Sequence, residues 1–189
     1  QILDVGVKGK AGLVWSSAGA AVLMIPDKEK AGVFARKPLT ADAAALKAMG
    51  PGGKCLVADF NGDGLPDVIQ IGALAGVLYN SKALGEFEAG KACAVGTGSG
   101  DTDVFLGDWD ANGKMDVFTL SDDSCRLWQN EGAGNFVDML GTSGEIAYIS
   151  KPKGIAGNTC DINNDGRQDV FIAYLGDNCP QVFFNRIFR

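Results

Sequence analysis

Apolar residues occur along the chain in short runs separated by glycine-rich and aspartate-rich segments. In one stretch, apolar runs cover residues 55–58, 68–71 and 76–79, and residues 86–88 form a further short segment of strand type. Runs of about four residues between turn-forming residues are typical of β-strands, because a helix needs a longer series of apolar positions. The pattern predicts four strands in this stretch and an all-β protein.

A nine-residue pattern rich in aspartate occurs three times, at residues 59–67, 108–116 and 161–169. We call these segments loop 1, loop 2 and loop 3, and we number their positions from 1 to 9. An apolar run follows each loop, and the next segment ends in an asparagine each time: Asn80, Asn130 and Asn185. The repeated unit is therefore much longer than the loop itself.

A fourth, degenerate copy of the pattern aligns without a gap from Asp4, with Lys8 at position 5 and Gly12 at position 9. The copies then begin 55, 49 and 53 residues apart, which is close to the length of one four-stranded blade of a β-propeller. We predict a single propeller-type domain or segment with repeats at about 1–54, 55–104, 105–156 and 157–189. The last repeat ends after its third strand and lacks an outer strand.

Between the first two repeats, residues 40–49 have the pattern of a short helix. Thr40 is placed as the N-cap, Asp42 lies in the first turn, and Gly50 with Pro51 follows an alanine-rich body. We predict a linking helix here.

The three loops have the composition of calcium sites between the first and second strand of a blade. Positions 1, 3, 5 and 9 are Asp or Asn, position 6 is glycine, and position 7 varies, as expected if position 7 offers only its backbone carbonyl. The predicted ligands are Asp59, Asn61, Asp63, Leu65 and Asp67, then Asp108, Asp110, Asn112, Lys114 and Asp116, then Asp161, Asn163, Asp165, Arg167 and Asp169. Three Ca²⁺ ions are therefore expected, and none in the degenerate copy.

Two other interpretations of the loops fit the sequence less well. An EF-hand needs an acidic residue at position 12, where this chain has Gln70, Thr119 and Ile172. Asx-rich turns without metal explain one loop well but three matching loops poorly. Position 2 is apolar in every copy (Phe60, Trp109, Ile162 and, in the degenerate copy, Val5), and we expect these side chains to point into the core.

The net charge is -6, and nine of the 23 acidic residues lie in the three loops. Without those nine the formal charge would be +3, so the acidity is concentrated where a cation would bind. An acidic chain without a basic cluster does not fit a nucleic-acid partner. Histidine is absent, which removes the commonest general base, and no catalytic constellation is found, so an enzyme is not expected. No apolar stretch is long enough to span a membrane.

The five cysteines have no CxxC spacing. Two disulfides and one free thiol would suit an oxidising compartment, with Cys93 paired to Cys125 and Cys160 unpaired. Buried free thiols are the alternative.

The loops, together with the hairpin at residues 126–138, resemble the FG-GAP or VCBS repeat family. This resemblance implies calcium-binding blades like those of integrin α-chains and of secreted bacterial proteins. The expected function is an extracellular (or periplasmic or cell-surface) module for recognition of a protein or glycan. Three alternatives stay open: a structural subunit completed by a partner chain through the incomplete last blade, the non-catalytic part of a secreted polysaccharide-acting enzyme, and a secreted lyase-type enzyme.

Overall fold

A computed structural model describes residues 2–7, 10–17, 20–38, 54–71, 75–78, 91–93, 95, 101–121, 125–140, 154–175 and 180–185. These residues form fifteen β-strands in four antiparallel sheets, so the all-β prediction with blade-like sheets is confirmed. The chain divides into two compact units, Gln1–Gly96 and Thr97–Arg189. The predicted helix at 40–49 lies outside the described residues. Within the described part, no helix is long and apolar enough to cross a membrane.

The first sheet has the strand order β1-β2-β3-β4: β1 (Ile2–Val7), β2 (Lys10–Ser17), β3 (Ala20–Pro26) and β4 (Phe34–Pro38). Asp4 is paired with Ala11, and Leu3 is paired with Gly12. The positions of the degenerate copy therefore lie in two hydrogen-bonded strands that residues 8–9 connect. No nine-residue loop separates these strands, which distinguishes this repeat from the other three.

The second sheet contains β5 (Lys54–Ala58), β6 (Asp67–Ile71), β7 (Ala75–Leu78) and β8 (Lys91–Cys93) in that order. Every residue of β6 is buried, as expected for a central strand that is covered on both faces. The first three strands agree with the sequence prediction. The fourth strand does not, because β8 pairs with β7 through Ala75 and Cys93, whereas residues 86–88 lie outside the described part. No sequence pattern in the long connection between β7 and β8 predicted this pairing.

The second compact unit holds the third and fourth sheets. The third has the order β12-β11-β10-β9: β9 (Asp101–Gly107), β10 (Asp116–Ser121), β11 (Cys125–Gly132) and β12 (Asn135–Asp138). Among the described residues the fourth sheet has three strands, β13 (Gly154–Cys160), β14 (Asp169–Tyr174) and β15 (Gln181–Phe183).

The core of this unit is formed between the third and fourth sheets. One buried cluster contains Phe105 of β9, Phe118 of β10 and Trp109 of loop 2, together with residues of β14 such as Ile172. The rings of Phe105 and Phe118 are stacked with centroids 4.9 Å apart. Gly157 allows this packing, because a Cβ there would lie 2.2 Å from a ring carbon of Phe105. The two sheets are thus fitted closely together.

The prediction for position 2 holds in two loops and is wrong in one. Phe60 is fully buried and Trp109 is 7% exposed, but Ile162 is 43% exposed. Trp109 is covered because the fourth sheet packs over its side of the third sheet. No described strand covers Ile162 in the same way. The loop pattern is the same, and the covering sheet decides the burial.

The predicted disulfide between Cys93 and Cys125 is not found, because neither cysteine, nor Cys160, forms a disulfide in the described part of the chain. Burial raises the pKa of the Cys93 thiol to about 11 and also raises the pKa of the Cys125 thiol. These two thiols are partly buried and Cys160 is exposed, so the alternative of buried thiols is matched only in part. Cys179 lies outside the described residues.

Candidate metal loops

All three loops occupy the same place in their sheets. Each loop leaves the first strand of its sheet, and its position 9 is the first residue of the second strand. The residue before position 1 pairs with position 9 in each case: Ala58 with Asp67, Gly107 with Asp116, and Cys160 with Asp169. The loop is therefore closed at its base by the strand ladder, and its acidic side chains are held within one turn.

The aspartate at position 1 organises the loop backbone. One of its carboxylate oxygens accepts the N–H of position 5, and the other accepts the N–H of position 6. These distances are 3.2 and 2.8 Å in loop 1, 3.0 and 3.0 Å in loop 2, and 3.0 and 2.8 Å in loop 3. Since each carboxylate oxygen has more than one lone pair, these bonds leave capacity for a metal ion.

The loops turn through two residues with positive φ. The glycine at position 6 has φ of 81°, 84° and 83° in loops 1, 2 and 3, which agrees with the sequence prediction. Position 4 also has positive φ, and there the residues differ: Gly62, Ala111 at 56° and Asn164 at 58°. Alanine at a left-handed position is strained, so loop 2 carries a cost that loop 1 avoids.

Positions 3 and 5 form an amide–carboxylate pair whose partners are exchanged between loops. In loops 1 and 3, the asparagine at position 3 donates from Nδ2 to the aspartate at position 5, at 3.0 Å in both. In loop 2, Asn112 at position 5 donates to Asp110 at position 3, at 2.8 Å. One Asp and one Asn at these positions therefore retain a hydrogen bond, where two aspartates would repel each other.

The aspartate at position 9 is buried, and it ties the loop to the rest of the sheet. In loop 2, Trp109 N donates to Asp116 Oδ2 at 3.1 Å and Asn130 N donates to Oδ1 at 2.8 Å. Asp169 accepts the corresponding bonds from Ile162 and Asn185. In loops 2 and 3 the recurrent asparagine thus anchors the aspartate at position 9. The sequence showed that the asparagine recurs but not what it contacts.

Burial raises the pKa of Asp116 to about 6, although the backbone N–H groups of Asn130 and Trp109 lower it. The negative charges of Asp110 and Asp108 raise it further. A buried carboxyl group beside two other carboxylates favours a proton or a cation. A bound metal ion would offset this repulsion between the three carboxylates.

The structure brings Asp108, Asp110 and Asp116 together, with one carboxylate oxygen from each lying within 4.8 Å of the others. Two oxygens that bind one Ca²⁺ at about 2.3–2.6 Å can be at most about 5 Å apart, so this spacing is compatible with a shared ion. In the described part of loops 1 and 3, three acidic groups do not converge in this way. The difference follows from the order of the residues, because loops 1 and 3 carry Asn at position 3 and Asp at position 5, whereas loop 2 has the reverse.

Two glutamines near loop 2 were missed by the sequence analysis. Gln129 of β11 donates from Nε2 to Asp110 Oδ2. Gln168, at position 8 of loop 3, accepts the N–H of Asp108 at 2.7 Å. The hydrogen bond of Gln168 joins residues that are 60 positions apart in the sequence. Position 8 is Pro66 in loop 1 and Met115 in loop 2, so the repeated pattern did not predict this contact.

The fold and the loops define a class of repeat proteins: small antiparallel sheets with an aspartate-rich loop between the first two strands. The model of the FG-GAP-like repeat matches residues 59–119 and 108–172, which together are more than half of the chain. The chain therefore belongs to the FG-GAP-like repeat family. No curated protein sequence matches it.

Solved structures with similar folds include an Agrocybe aegerita lectin and an exotype rhamnogalacturonan lyase, YesX. The lectin, described as recognising non-reducing terminal N-acetylglucosamine, gives a TM-score of 0.60 at 19% identity and matches 97% of this chain. The lyase gives 0.52 at 12% identity and matches 89% of this chain. This chain spans 50% of the lectin and 37% of the lyase. At these identities the likeness concerns the fold alone.

Proposed function

We propose that this chain is a calcium-stabilised recognition module with one Ca²⁺ in each of its three loops. The observation that carries the proposal is the convergence of three carboxylates in loop 2. Loops 1 and 3 share the same backbone hydrogen bonds and offer the same side-chain donors, three carboxylates and one asparagine oxygen, with the asparagine at position 3 instead of position 5. Carbonyl oxygens at position 7 complete the predicted ligand set.

Calcium fits the donor set better than a transition metal does. The side-chain donors at positions 1, 3, 5 and 9 are all carboxylate or amide oxygens, which hard cations prefer. Calcium accepts six to eight oxygens in flexible geometry, whereas Mg²⁺ demands a strict octahedron and keeps several waters. The ion would hold the loop at the end of the strand pair and offset the repulsion among its carboxylates.

The test is calorimetric titration of Ca²⁺ together with thermal unfolding in Ca²⁺ and in EGTA. We expect three ions per chain and a higher melting temperature with calcium. Asp108→Asn should reduce the stoichiometry to two, while Glu131→Gln, a charge-neutralising change at an exposed residue of β11, should leave it at three. An unchanged melting temperature in EGTA would show that the loops are turns without a metal.

The ligand class that we propose is a glycan, with a protein as the other possible partner. Support comes from the lectin, whose fold is similar and whose described ligand is a sugar. A glycan array probed with and without EGTA tests this. Binding that disappears in EGTA supports a calcium-dependent recognition module, and an array without any binding argues against a glycan ligand. We assign no reaction to the chain.

We further propose that the protein works outside the cytoplasm. Calcium sites of extracellular modules bind at about 10⁻⁴ to 10⁻³ M, a concentration that the cytosol does not offer. A measured dissociation constant in this range supports the location. A constant below about 10⁻⁷ M, typical of cytosolic buffers, would contradict it.

A second candidate function is that of a structural subunit. Large apolar side chains are exposed on the fourth sheet and beside it: Ile155, Ile162, Leu175, Val182 and Phe184. The register places Val182 opposite Phe171, on the face of the sheet that is turned away from the third sheet. Light scattering after size exclusion distinguishes the candidates, since self-association that Phe184→Ser abolishes would support a structural role and a strictly monomeric chain would argue against self-assembly.

A further inference from the structure

Two residues of the fourth repeat form hydrogen bonds with the backbone of loop 2. Gln168 Oε1 accepts the N–H of Asp108 at 2.7 Å, and Asn185 Nδ2 donates to the carbonyl oxygen of Trp109 at 2.7 Å. Asp108 and Trp109 are positions 1 and 2 of loop 2. The peptide groups 107–108 and 109–110, on either side of the Asp108–Trp109 peptide, are therefore hydrogen-bonded from outside the loop.

Both of these residues are also tied to loop 3. Gln168 lies at position 8 of loop 3, directly before Asp169. Asn185 N donates to Asp169 Oδ1 at 2.8 Å, and the carbonyl oxygen of Asn185 accepts Arg167 Nε at 2.9 Å. Asn185 thus contacts positions 7 and 9 of loop 3 and position 2 of loop 2.

The equivalent asparagine of the third sheet behaves differently. Asn130 N donates to Asp116, as Asn185 N does to Asp169. Its side-chain Nδ2, however, donates to the carbonyl oxygen of Met115 at 3.1 Å, within the same repeat. The side chain of Asn185 thus links two loops, whereas that of Asn130 binds a carbonyl group of its own repeat.

The packing around these contacts leaves little room for adjustment. A Cβ on Gly107 would lie 2.7 Å from the Trp109 ring and 2.8 Å from Gln168 Oε1. Trp109 is itself buried by the fourth sheet. Closely packed interiors have low compressibility and transmit strain. A change in the position of residues 167–169 should therefore move residues 107–109.

We propose that Gln168 and Asn185 are positioning residues that couple loops 2 and 3, so that calcium binding in one loop raises the affinity of the other. This rests on the proposed calcium function. Ordering of loop 3 by its ion fixes Gln168 and Asn185 and thereby orients Asp108 for the ion in loop 2. By thermodynamic linkage, the effect is reciprocal.

The test is a double-mutant cycle read out by terbium, a luminescent calcium substitute. Tryptophan-sensitised emission reports mainly loop 2, because position 2 is Trp109 there but Phe60 and Ile162 in the other loops. Loop 3 is disabled by Asp161→Asn with Asp165→Asn. The link is removed by Gln168→Met, which introduces the residue of the equivalent position in loop 2, with Asn185→Ala, which retains the backbone N–H to Asp169. Gln181→Met, at an exposed position of β15, is the matched control.

We expect disabling loop 3 to weaken terbium binding at loop 2 by about fivefold or more in the otherwise unchanged chain and in Gln181→Met. In the chain without the link, disabling loop 3 should change the affinity of loop 2 by less than about twofold. An equal loss in both backgrounds, or no loss in either, overturns the coupling. Absence of sensitised emission from the unchanged chain would instead overturn the proposed metal site in loop 2, and the coupling with it.

Discussion

Loops 2 and 3 share one pattern and the same hydrogen bonds from positions 1 and 9 to the backbone, but their surroundings differ. Position 1 binds the N–H groups of positions 5 and 6 in both, and position 9 anchors both to an asparagine N–H. Trp109 of loop 2 is nevertheless buried and Ile162 of loop 3 is 43% exposed. Local sequence builds the turn, whereas the neighbouring sheet decides whether the turn becomes part of a core.

The largest expected effect comes from truncating position 2 in each of the two loops. Trp109→Ala should lower the free energy of unfolding by about 4 kcal/mol, because it removes a buried aromatic ring from the cluster. Ile162→Ala should cost about 1 kcal/mol, since that side chain is half exposed. Urea denaturation in EGTA measures both values. Equal costs would mean that the covering sheet contributes nothing to loop 2.

Asp116 should make loop 2 sensitive to pH. Because burial raises its pKa to about 6, above the ordinary value of about 3.9, the metal-free folded state binds the proton more tightly than the unfolded chain. The contribution of Asp116 to the stability of the calcium-free chain should therefore fall as pH rises from about 4 to about 6, by about 3 kcal/mol in all. Calcium affinity should rise over the same range, because the ion needs the carboxylate.

Chemical denaturation and calcium titration at pH 4.5, 5.5 and 7 measure this dependence. Asp116→Asn removes the titrating group and should flatten the metal-free profile if the variant folds. Its near-ultraviolet circular dichroism checks the fold. Parallel metal-free profiles for the unchanged chain and Asp116→Asn would contradict the assignment.

The fit between the third and fourth sheets can be tested at Gly157. Gly157→Ala should cost about 2 kcal/mol, because the added Cβ meets the ring of Phe105 and overpacks the core. Asn158→Ala, at the next and exposed residue of the same strand, should cost less than about 0.5 kcal/mol. Thermal unfolding of both variants provides the comparison. If Gly157→Ala costs no more than the control, the two sheets are packed less closely than described.

The smallest expected effect concerns position 4. Ala111→Gly should stabilise the protein by up to about 1 kcal/mol, because alanine is strained at φ of 56° and loop 1 already has Gly62 at this position. Ala156→Gly, in strand β13, should have the opposite sign and cost about 0.5–1 kcal/mol through chain entropy. Equilibrium unfolding in EGTA resolves the two signs. A destabilising Ala111→Gly would show that the strain at this position is already relieved.

Features that depend on neighbours along the chain could be predicted from the amino-acid sequence. The strands that flank each loop, the glycine at position 6 and the acidic positions follow from spacing and residue type, because a nine-residue turn selects its residues locally. The family resemblance followed from the same positions. The Ca²⁺ assignment itself stays a prediction, with loop 2 as the loop where the geometry supports it most directly.

The tertiary structure decided what depends on contacts between distant residues. The pairing of β8 with β7, the burial of Trp109 against the exposure of Ile162, and the free state of Cys93 and Cys125 were not readable from local patterns. Gln168 and Asn185 reach loop 2 across 60 and 76 residues of chain. Such contacts arise when one sheet packs on another, and the sequence carries no local mark of which side chain will face which neighbour.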